Sequence, residues 1–375
     1  MRSITSKPIT PLAGQAIRRR LVLCAFVLTP LLAAFNLRAD SDGGGHYRQI
    51  NLVSDLPGVA ALQDTNLVNS WGISFSSTSP FWVSDNGTGE ATLYSVTNDA
   101  NGIMHVTKQG LTVIIPGKGT PTGQLFNGTG LFHNDLFIFA SEDGIISGWR
   151  RSLGTNAEVL VSNSNAVYKG ITMAATMRGP VLLVANFHQR LVEAYDGNLQ
   201  LVGQFADAHA PAGYAPFNVQ SIEGMIFVTF ALQNDEGHDD VAGRGHGLID
   251  VLDPNTGKFH RFATGSAAGG RLHELNSPWG VALAPHSFGK QGGLLLVGNF
   301  GSGTIMSFEA DGKFRGLLKG QREGPLVIDG LWALTFGNGG AAGSPQTLFF
   351  SAGLDGEAHG LFGALLPARG NDEHN

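Results

Sequence analysis

The chain repeats one pattern at intervals of about 50 residues, and a period of that length constrains the fold more than any other feature of the sequence. In its clearest copies the unit opens with a strand that carries a Trp-Gly step. An apolar strand ending in polar residues follows, and then a Gly-rich turn and a third, alternating strand. The copies at residues 69–96 and 276–308 share Asn, Trp-Gly, an apolar run, Asn, Gly-x-Gly and Thr in the same order. Weaker copies occupy residues 121–149, 168–196, 216–253 and 330–366.

Six units are therefore present, and one position can be followed through all of them. It is held by Trp71, Thr122, Lys169, Phe217, Trp279 and Trp332, at spacings of 51, 47, 48, 62 and 53 residues. Six four-stranded units close naturally into a ring, which removes the exposed edges of a flat sheet. We predict an all-β fold, a six-bladed β-propeller of four-stranded blades over residues 47–366. A β-sandwich is the alternative, but β-sandwiches do not repeat one such unit six times.

Composition agrees with many short strands joined by tight turns. Glycine accounts for 53 of the 375 residues and charged side chains for only 14%, against a usual quarter. The segment YRQINLVS at residues 47–54 has strand character and precedes the first unit. We predict that it supplies the outer strand of the last blade and so closes the ring. Residues 367–375 are polar, and we predict a disordered tail there.

The N-terminus has the three parts of a secretory signal. Five basic residues lie within residues 1–20, the apolar run LVLCAFVLTPLLAAF fills 21–35, and Leu-Arg-Ala at 37–39 suits cleavage. We predict a signal peptide at 1–39, a flexible linker at 40–46 and a periplasmic or extracellular protein. An uncleaved N-terminal anchor is the alternative.

Export changes the charge and the thiol chemistry of the chain. Residues 1–39 hold six basic residues and no acidic one, which leaves 18 basic and 30 acidic residues and a formal charge of −12. That sign argues against nucleic-acid or anionic-membrane partners. The single cysteine, Cys24, would also be removed, so no disulfide is expected. We expect a monomer.

Polar residues gather in loops that a propeller places on one face. These are the loops after the second strands and the loops that enter the first strands, so their side chains should ring one channel mouth. The predicted mouth set is Asn69, Asp85, Asn86, Glu142, Asn186, His188, Asn218, Asn276, Asn299, Asp329 and His359.

Two interpretations of this set stay open. Oxygen ligands from several blades suit Ca²⁺, and a bound cation could polarise an ester or lactone carbonyl while His188 or His359 moves protons. The predicted metal ligands are Asp85, Glu142, Asn186 and Asn299. Against this, Asp and Asn before Gly are ordinary turn residues that bond nearby backbone.

The insertion QNDEGHDDVAGRGHG at residues 233–247 carries two histidines and four acids. It could bind a metal, or it could be a solvated loop or a lid over the mouth. For Trp71, Trp279 and Trp332 the alternatives are stacking on a sugar and packing in the core between blades, and we expect packing. The adjacent glycine should let backbones approach closely near the axis.

Several segments together resemble a family of exported bacterial proteins known as conserved hypothetical sequences and expected to be propellers. The segments are LVNSWGISFSSTSPFWVSDNGTG, YKG, YAPFNVQ, SPWGVALAPHSFG, LLVGNFGSG and DGLWALTFGNGG, within residues 48–366. The resemblance implies fold and export and carries no catalytic residue. More distantly, the repeat is similar to NHL-type propellers and to gluconolactonase-like six-bladed hydrolases. The latter coordinate a channel metal with Glu, Asn and Asp from different blades.

The leading hypothesis is an extracytoplasmic binding module whose mouth face takes a small molecule, a glycan or an extracellular protein. The alternatives are a Ca²⁺-dependent lactonase or esterase at the channel mouth and a purely structural extracellular module.

Overall fold

The structure is a computed structural model that describes residues 45–265, 274–321 and 324–368. The predicted signal peptide, residues 40–44 of the predicted linker and the predicted tail beyond residue 368 lie outside the described residues. Residue 46, assigned to the linker, and residue 367, assigned to the tail, already belong to strands. No helix in the described part of the chain is long and apolar enough to cross a bilayer.

The described chain opens with a strand that belongs to the last blade and a short strand beside it, β1 (His46–Ser54) and β2 (Leu62–Gln63). Three blades of four consecutive antiparallel strands follow. Blade 1 has β3 (Ser70–Ser74), β4 (Phe81–Asp85), β5 (Glu90–Asn98) and β6 (Met104–Ile114). Blade 2 has β7 (Pro121–Phe126), β8 (Phe137–Ser141), β9 (Ile145–Trp149) and β10 (Glu158–Ser162). Blade 3 has β11 (Tyr168–Thr176), β12 (Gly179–Asn186), β13 (Leu191–Tyr195) and β14 (Leu201–Phe205).

Two further blades of the same kind complete the run of consecutive strands. Blade 4 has β15 (Tyr214–Ile222), β16 (Met225–Leu232), β17 (Gly247–Asp253) and β18 (Lys258–Thr264). Blade 5 has β19 (Pro278–Leu283), β20 (Leu295–Asn299), β21 (Ile305–Phe308) and β22 (Phe314–Leu317). A short strand, β23 (Lys319–Gly320), leads to blade 6, whose own strands are β24 (Leu331–Phe336), β25 (Leu348–Gly353) and β26 (His359–Pro367). Helical turns are confined to Phe132–Asn134, Arg151–Leu153, Gly289–Gln291 and Leu354–Glu357 within the described ranges.

Blade 6 takes its fourth strand from the start of the chain. Strand β1 pairs antiparallel with β26, in a register that runs from Tyr47 opposite Pro367 to Ser54 opposite Leu361. The six-bladed all-β ring and its closure by an N-terminal strand are thus confirmed. Closure of this kind stabilises the ring because chain ends far apart in sequence share one hydrogen-bonded ladder.

Tyr47 fastens that closing strand to the neighbouring blade. Its hydroxyl donates to the carbonyl of Phe288 at 3.0 Å and accepts from the backbone N–H of Gln291 at 3.1 Å. Its ring lies 4.8 Å from the Phe288 ring, centroid to centroid. Strand β1 therefore contacts blade 5 through Tyr47, in addition to pairing with β26 in blade 6.

Inter-blade cores carry most of the apolar burial. Phe81 of blade 1, for example, packs against Phe349 and Phe362 of blade 6, and each of the three is fully buried. Burial of a side chain of that size stabilises the folded state by about 1.5–3 kcal/mol. The apolar strand predicted in each repeat unit is the second strand of its blade.

The inner strands β3, β7, β11, β15, β19 and β24 contact one another in order around the axis. Their backbones meet closely where the repeat has glycine. A Cβ on Gly72 would lie 2.5 Å from the carbonyl oxygen of Thr122, and one on Gly123 would lie 2.8 Å from the Cα of Gly170. Any larger residue at these two positions would push neighbouring blades apart.

We predict that a chain beginning at Gly45 folds, whereas a chain beginning at Asp55 does not. The shorter chain lacks β1, so β26 becomes an open edge and the contacts of Tyr47 are lost. Circular dichroism melts and size-exclusion chromatography would show a cooperative monomer for the first and aggregation for the second. Equal melting temperatures would contradict the closing role of β1. The single change Tyr47→Ala should cost about 3–5 kcal/mol in the free energy of unfolding.

Candidate functional site

The centre of the channel mouth holds a buried lysine. Lys169 lies on the inner strand of blade 3, with a side chain only 2% exposed. Its ammonium is bonded to the carboxylate of Glu142 in blade 2 and lies 3.5 Å from an oxygen of Asp239 in the blade 4 insertion. Charged groups are almost never so buried unless they are paired. The lysine joins three blades at one point.

Aromatic rings close the channel beneath this lysine. Trp71 and Trp332 stack with centroids 3.6 Å apart, and Phe300 stacks on the other side of Trp332 at 3.9 Å. Trp279 meets Trp71 edge-on at 6.2 Å. These contacts join blades 1 and 5, which are not neighbours, so the rings fill the axis.

The tryptophans therefore pack, as predicted, but on the axis rather than between adjacent blades. Trp71, Trp279 and Trp332 are at most 4% exposed, so their faces are not open to a sugar from solution. The Lys169 ammonium lies 5.1 Å from the centre of the Trp71 ring and 5.9 Å from that of Phe187. These are cation–π distances, and they stabilise the charge from below.

A chain of amide side chains links the aromatic layer to the acids. Asn69 accepts hydrogen bonds from the indole N–H groups of Trp71 at 3.0 Å and Trp332 at 3.2 Å. Its amide donates to Glu357 at 2.7 Å and to Asn86 at 3.3 Å. Asn69 has a φ of 47°, a backbone conformation that Asn tolerates better than most residues.

The amide chain then reaches the lysine. Asn86 donates to the second carboxylate oxygen of Glu142 at 3.0 Å, and the first oxygen of Glu142 pairs with Lys169. We call Asn69, Asn86, Glu142, Lys169 and Glu357 the axial network. It runs without a break through blades 6, 1, 2 and 3.

Electrostatics fix the charge of the lysine. Burial acts to lower the Lys169 pKa, but the attraction and hydrogen bond of Glu142, helped by Asp239 and Glu357, outweigh it and raise that pKa. Lys169 is thus protonated at neutral pH. Burial also acts to raise the Asp239 pKa, yet the positive charge of Lys169 and the hydrogen bond from His238 bring it below its ordinary value.

Two other acids near the network shift in the opposite direction. Burial raises the pKa of Asp240, partly opposed by Ser277 and by the charge of Lys169. Burial also raises the pKa of Glu357, against the hydrogen bond from Asn69. The mouth therefore combines one carboxyl with a lowered pKa, Asp239, and two with raised pKa values, Asp240 and Glu357.

The blade 4 insertion covers the network, which favours the lid interpretation over a freely solvated loop. Besides the Asp239 contact, the carbonyl of Gly237 lies 3.3 Å from Nδ1 of His188. Gln233 is bonded to Arg190 and to the carbonyl of Phe187. Residues of blade 3 at the channel rim thus fix the position of the insertion.

Apart from Asp85, Asn186 and Asn299, the predicted mouth residues divide into two groups. Asn69, Asn86 and Glu142 belong to the axial network, and His188 lies exposed at its rim. Asn218 donates to the carbonyl of Trp279 at 2.8 Å, deep on the axis. These residues are brought together by the fold.

The residues of the second group bond to partners outside the axial network. Asn276 accepts from the N–H of Gly243 in the insertion at 2.7 Å. The exposed Asp329 accepts from the N–H of Asp355 at 2.8 Å. His359 pairs with Asp55 at 2.7 Å at the start of β26 in blade 6, away from the axial network.

The four predicted metal ligands do not form a set, and strand register gives the reason. Asp85, Asn186 and Asn299 sit opposite Ser70, Tyr168 and Pro278 on their inner strands. In blade 2 the corresponding partner is Ser141. Glu142 is one residue further on, so it faces the opposite way.

Side-chain contacts follow that register. Asp85 accepts from Thr92 at 2.7 Å, Asn186 donates to Glu193 at 3.1 Å, and Asn299 donates to Thr304 at 3.2 Å. Each of these bonds stays within its own blade, as expected of turn residues. Glu142 alone of the four points to the axis. The predicted set therefore does not fit a Ca²⁺ ion.

One other grouping of metal-ligand types occurs in the described ranges. Glu142, His238 and Asp239 each offer an atom, and these atoms lie within 4.8 Å of one another. Their donors are already engaged, since Lys169 pairs with Glu142 and His238 lies 2.8 Å from Asp239.

Sequence reasoning missed Lys169 as a site residue, although a signal was present. At the repeat position held elsewhere by Trp, Thr or Phe, it is the one charged residue. A charge on the axis must find opposite charges there, so this departure from the repeat pointed to the network.

Comparison with known proteins supports the fold and gives no activity. No family model matches the chain. Two uncharacterised proteins of Acanthamoeba polyphaga mimivirus are similar. One is 28% identical over 340 residues, covering 84% of this chain and 78% of its own length, and the other is 27% identical over 341 residues, covering 84% of each. These relatives are viral, so the resemblance to an exported bacterial family stays a prediction.

Among solved structures, a streptogramin B lyase is similar with a TM-score of 0.51 and 12% identity, covering 85% of this chain and 97% of the lyase. The virginiamycin B lyase of Staphylococcus aureus has a TM-score of 0.49 at the same identity, covering 85% and 98%. At such identity the likeness shows the propeller fold alone.

We predict that Asp85→Asn stabilises the protein increasingly as pH rises from 4 to 7. Complete burial raises the Asp85 pKa well above its ordinary value despite the bond from Thr92. A raised folded-state pKa gives stability at low pH that is lost as pH rises, and asparagine has no such loss. Asparagine also occupies the equivalent position in blades 3 and 5.

Thermal melts of both proteins at several pH values would measure this. About 2–4 °C in melting temperature corresponds to 1 kcal/mol. A melting-temperature difference that stays constant or falls between pH 4 and pH 7 would contradict a buried carboxyl held against its charge.

Proposed function

We propose that the chain is an extracytoplasmic binding propeller whose mouth face captures a positively charged ligand, a lysine- or arginine-rich segment of a partner protein. The observation that carries this is the surplus of exposed carboxylates on that face. The insertion and the blade 6 loop supply the exposed acids Asp235, Glu236, Asp239, Asp329 and Asp355. Carboxylates with few cations among them attract and orient a basic partner.

The cations that the structure describes near this face cancel only part of that surplus. Lys169 is buried and paired with Glu142. Arg244 is paired with Glu274, whereas Arg190, bonded to the neutral Gln233, and the exposed Lys118 keep their charge. Among the described residues, Asp235, Glu236, Asp329 and Asp355 outnumber these two cations, in line with the predicted charge of −12 for a chain without residues 1–39. The predicted export supports a partner outside the cytoplasm.

A metal-dependent hydrolase is the second candidate, favoured by the grouping of Glu142, His238 and Asp239. The axial network supports it less well. The raised pKa of Lys169 deprives the site of a neutral amine that could act as nucleophile or base. Glu142 is held between Lys169 and Asn86 and is not free to move a proton.

The binding proposal predicts that a fluorescein-labelled octalysine peptide binds, and that removing mouth acids weakens it. The triple variant Asp235→Asn, Glu236→Gln, Asp355→Asn removes three exposed carboxylates without touching the axial network. Fluorescence anisotropy at low salt should show a Kd raised at least about fivefold, since each rim charge contributes a few tenths to 1 kcal/mol.

A matched control removes the same charge from the opposite face. Asp99, Glu223 and Asp311 are exposed acids in first-to-second and third-to-fourth strand turns, and Asp99→Asn, Glu223→Gln, Asp311→Asn should change the Kd less than twofold. An equal effect of the two triple variants, or no peptide binding by the wild type, would refute a basic-ligand site at the mouth.

A further inference from the structure

The axis of this propeller contains a cation that the chain itself provides. The Lys169 ammonium lies between carboxylates of two blades, bonded to Glu142 and 3.5 Å from an oxygen of Asp239. Two aromatic faces lie beneath it. Its side chain is 2% exposed, so the ammonium is held by these protein groups and makes little contact with water.

We propose that Lys169 takes the place of a divalent cation at the channel mouth, and that the mouth is thereby a cation site filled from within. The donor set supports this assignment. Glu142 and Asp239 come from two different blades, His238 offers a third ligand atom within 4.8 Å of theirs, and divalent cations bind carboxylate oxygens of this kind. A single ammonium lies against both carboxylates at a fixed position, where an ion would otherwise lie.

The neighbouring amides fit the same assignment. Asn86 orients Glu142 through a hydrogen bond of 3.0 Å, and Asn69 in turn donates to Asn86 at 3.3 Å. A ligand carboxylate is commonly held in this way by a second group. The carboxylates and their supporting amide are thus in place, while the cation is covalently part of blade 3.

The consequence is a mouth that does not respond to Ca²⁺ in the wild type and gains a response when the lysine is removed. Lys169→Met keeps the length of the side chain and its packing on Trp71 but deletes the charge. Glu142 and Asp239 then face each other without a counter-ion, and an added divalent cation can fill the vacated space.

The test compares four proteins by thermal shift and isothermal titration calorimetry with CaCl₂, against NaCl of equal ionic strength. We expect Lys169→Met to gain several degrees in melting temperature at about 5 mM Ca²⁺, with a Kd of about 1 mM or lower. The wild type should shift less than about 1 °C. Lys258→Met, at an exposed lysine on the outer strand β18, should behave as the wild type.

The double variant Lys169→Met, Glu142→Gln removes the pair together and should fold without Ca²⁺ and ignore it. If Lys169→Met alone does not fold, refolding in Ca²⁺ should rescue it. Failure of that rescue, failure of the double variant to fold, a folded Lys169→Met that does not bind Ca²⁺, or equal Ca²⁺ binding by the wild type would each overturn the assignment. Peptide binding at the mouth rim does not depend on this result, so the two proposals fail separately.

Discussion

Crowding at the axis is the constraint on which the rest of this molecule depends. Ring closure brings six inner strands so close that Gly72 and Gly123 meet the backbone of the next blade. Side chains at one repeat position must then share a single small space. Trp71, Trp279 and Trp332 fill most of it with stacked and edge-on rings.

A charge placed at that position has strict requirements. Lys169 enters the same axial space from blade 3, where loss of hydration would make an unpaired ammonium very unfavourable. Glu142 supplies the opposite charge, and Asn86 satisfies the other oxygen of that carboxylate. The polar layer at the mouth is therefore a consequence of a lysine at a position that the repeat otherwise gives to uncharged residues.

The fold could be predicted because a sequence repeat implies a structural unit that is repeated in space. One repeat position that returns six times fixes the number of blades, and a strand at residues 47–54 without a partner in its own unit could only pair with the last blade. Neither inference needs the position of any particular side chain. The predicted signal peptide, by contrast, lies outside the described residues and stays a prediction.

The site was less accessible to sequence, for a reason that strand register makes plain. Asp85 ends a buried strand and Glu142 follows one, each comes two residues before a glycine, and they look alike in sequence. Pairing places Asp85 opposite Ser70 but puts Ser141, not Glu142, at the corresponding position in blade 2. A shift of one residue turns a side chain from its own blade to the axis, and no local pattern reveals it.

The most direct test of this account is a double-mutant cycle on the central ion pair, measured as free energies of unfolding in urea. The four proteins are the wild type, Lys169→Met, Glu142→Gln and the double variant. If the pair is a buried, mutually dependent unit, each single change destabilises the protein by about 3–5 kcal/mol and the double variant lies close to the wild type. Losses that simply add in the double variant would contradict an axis organised by Lys169 and Glu142.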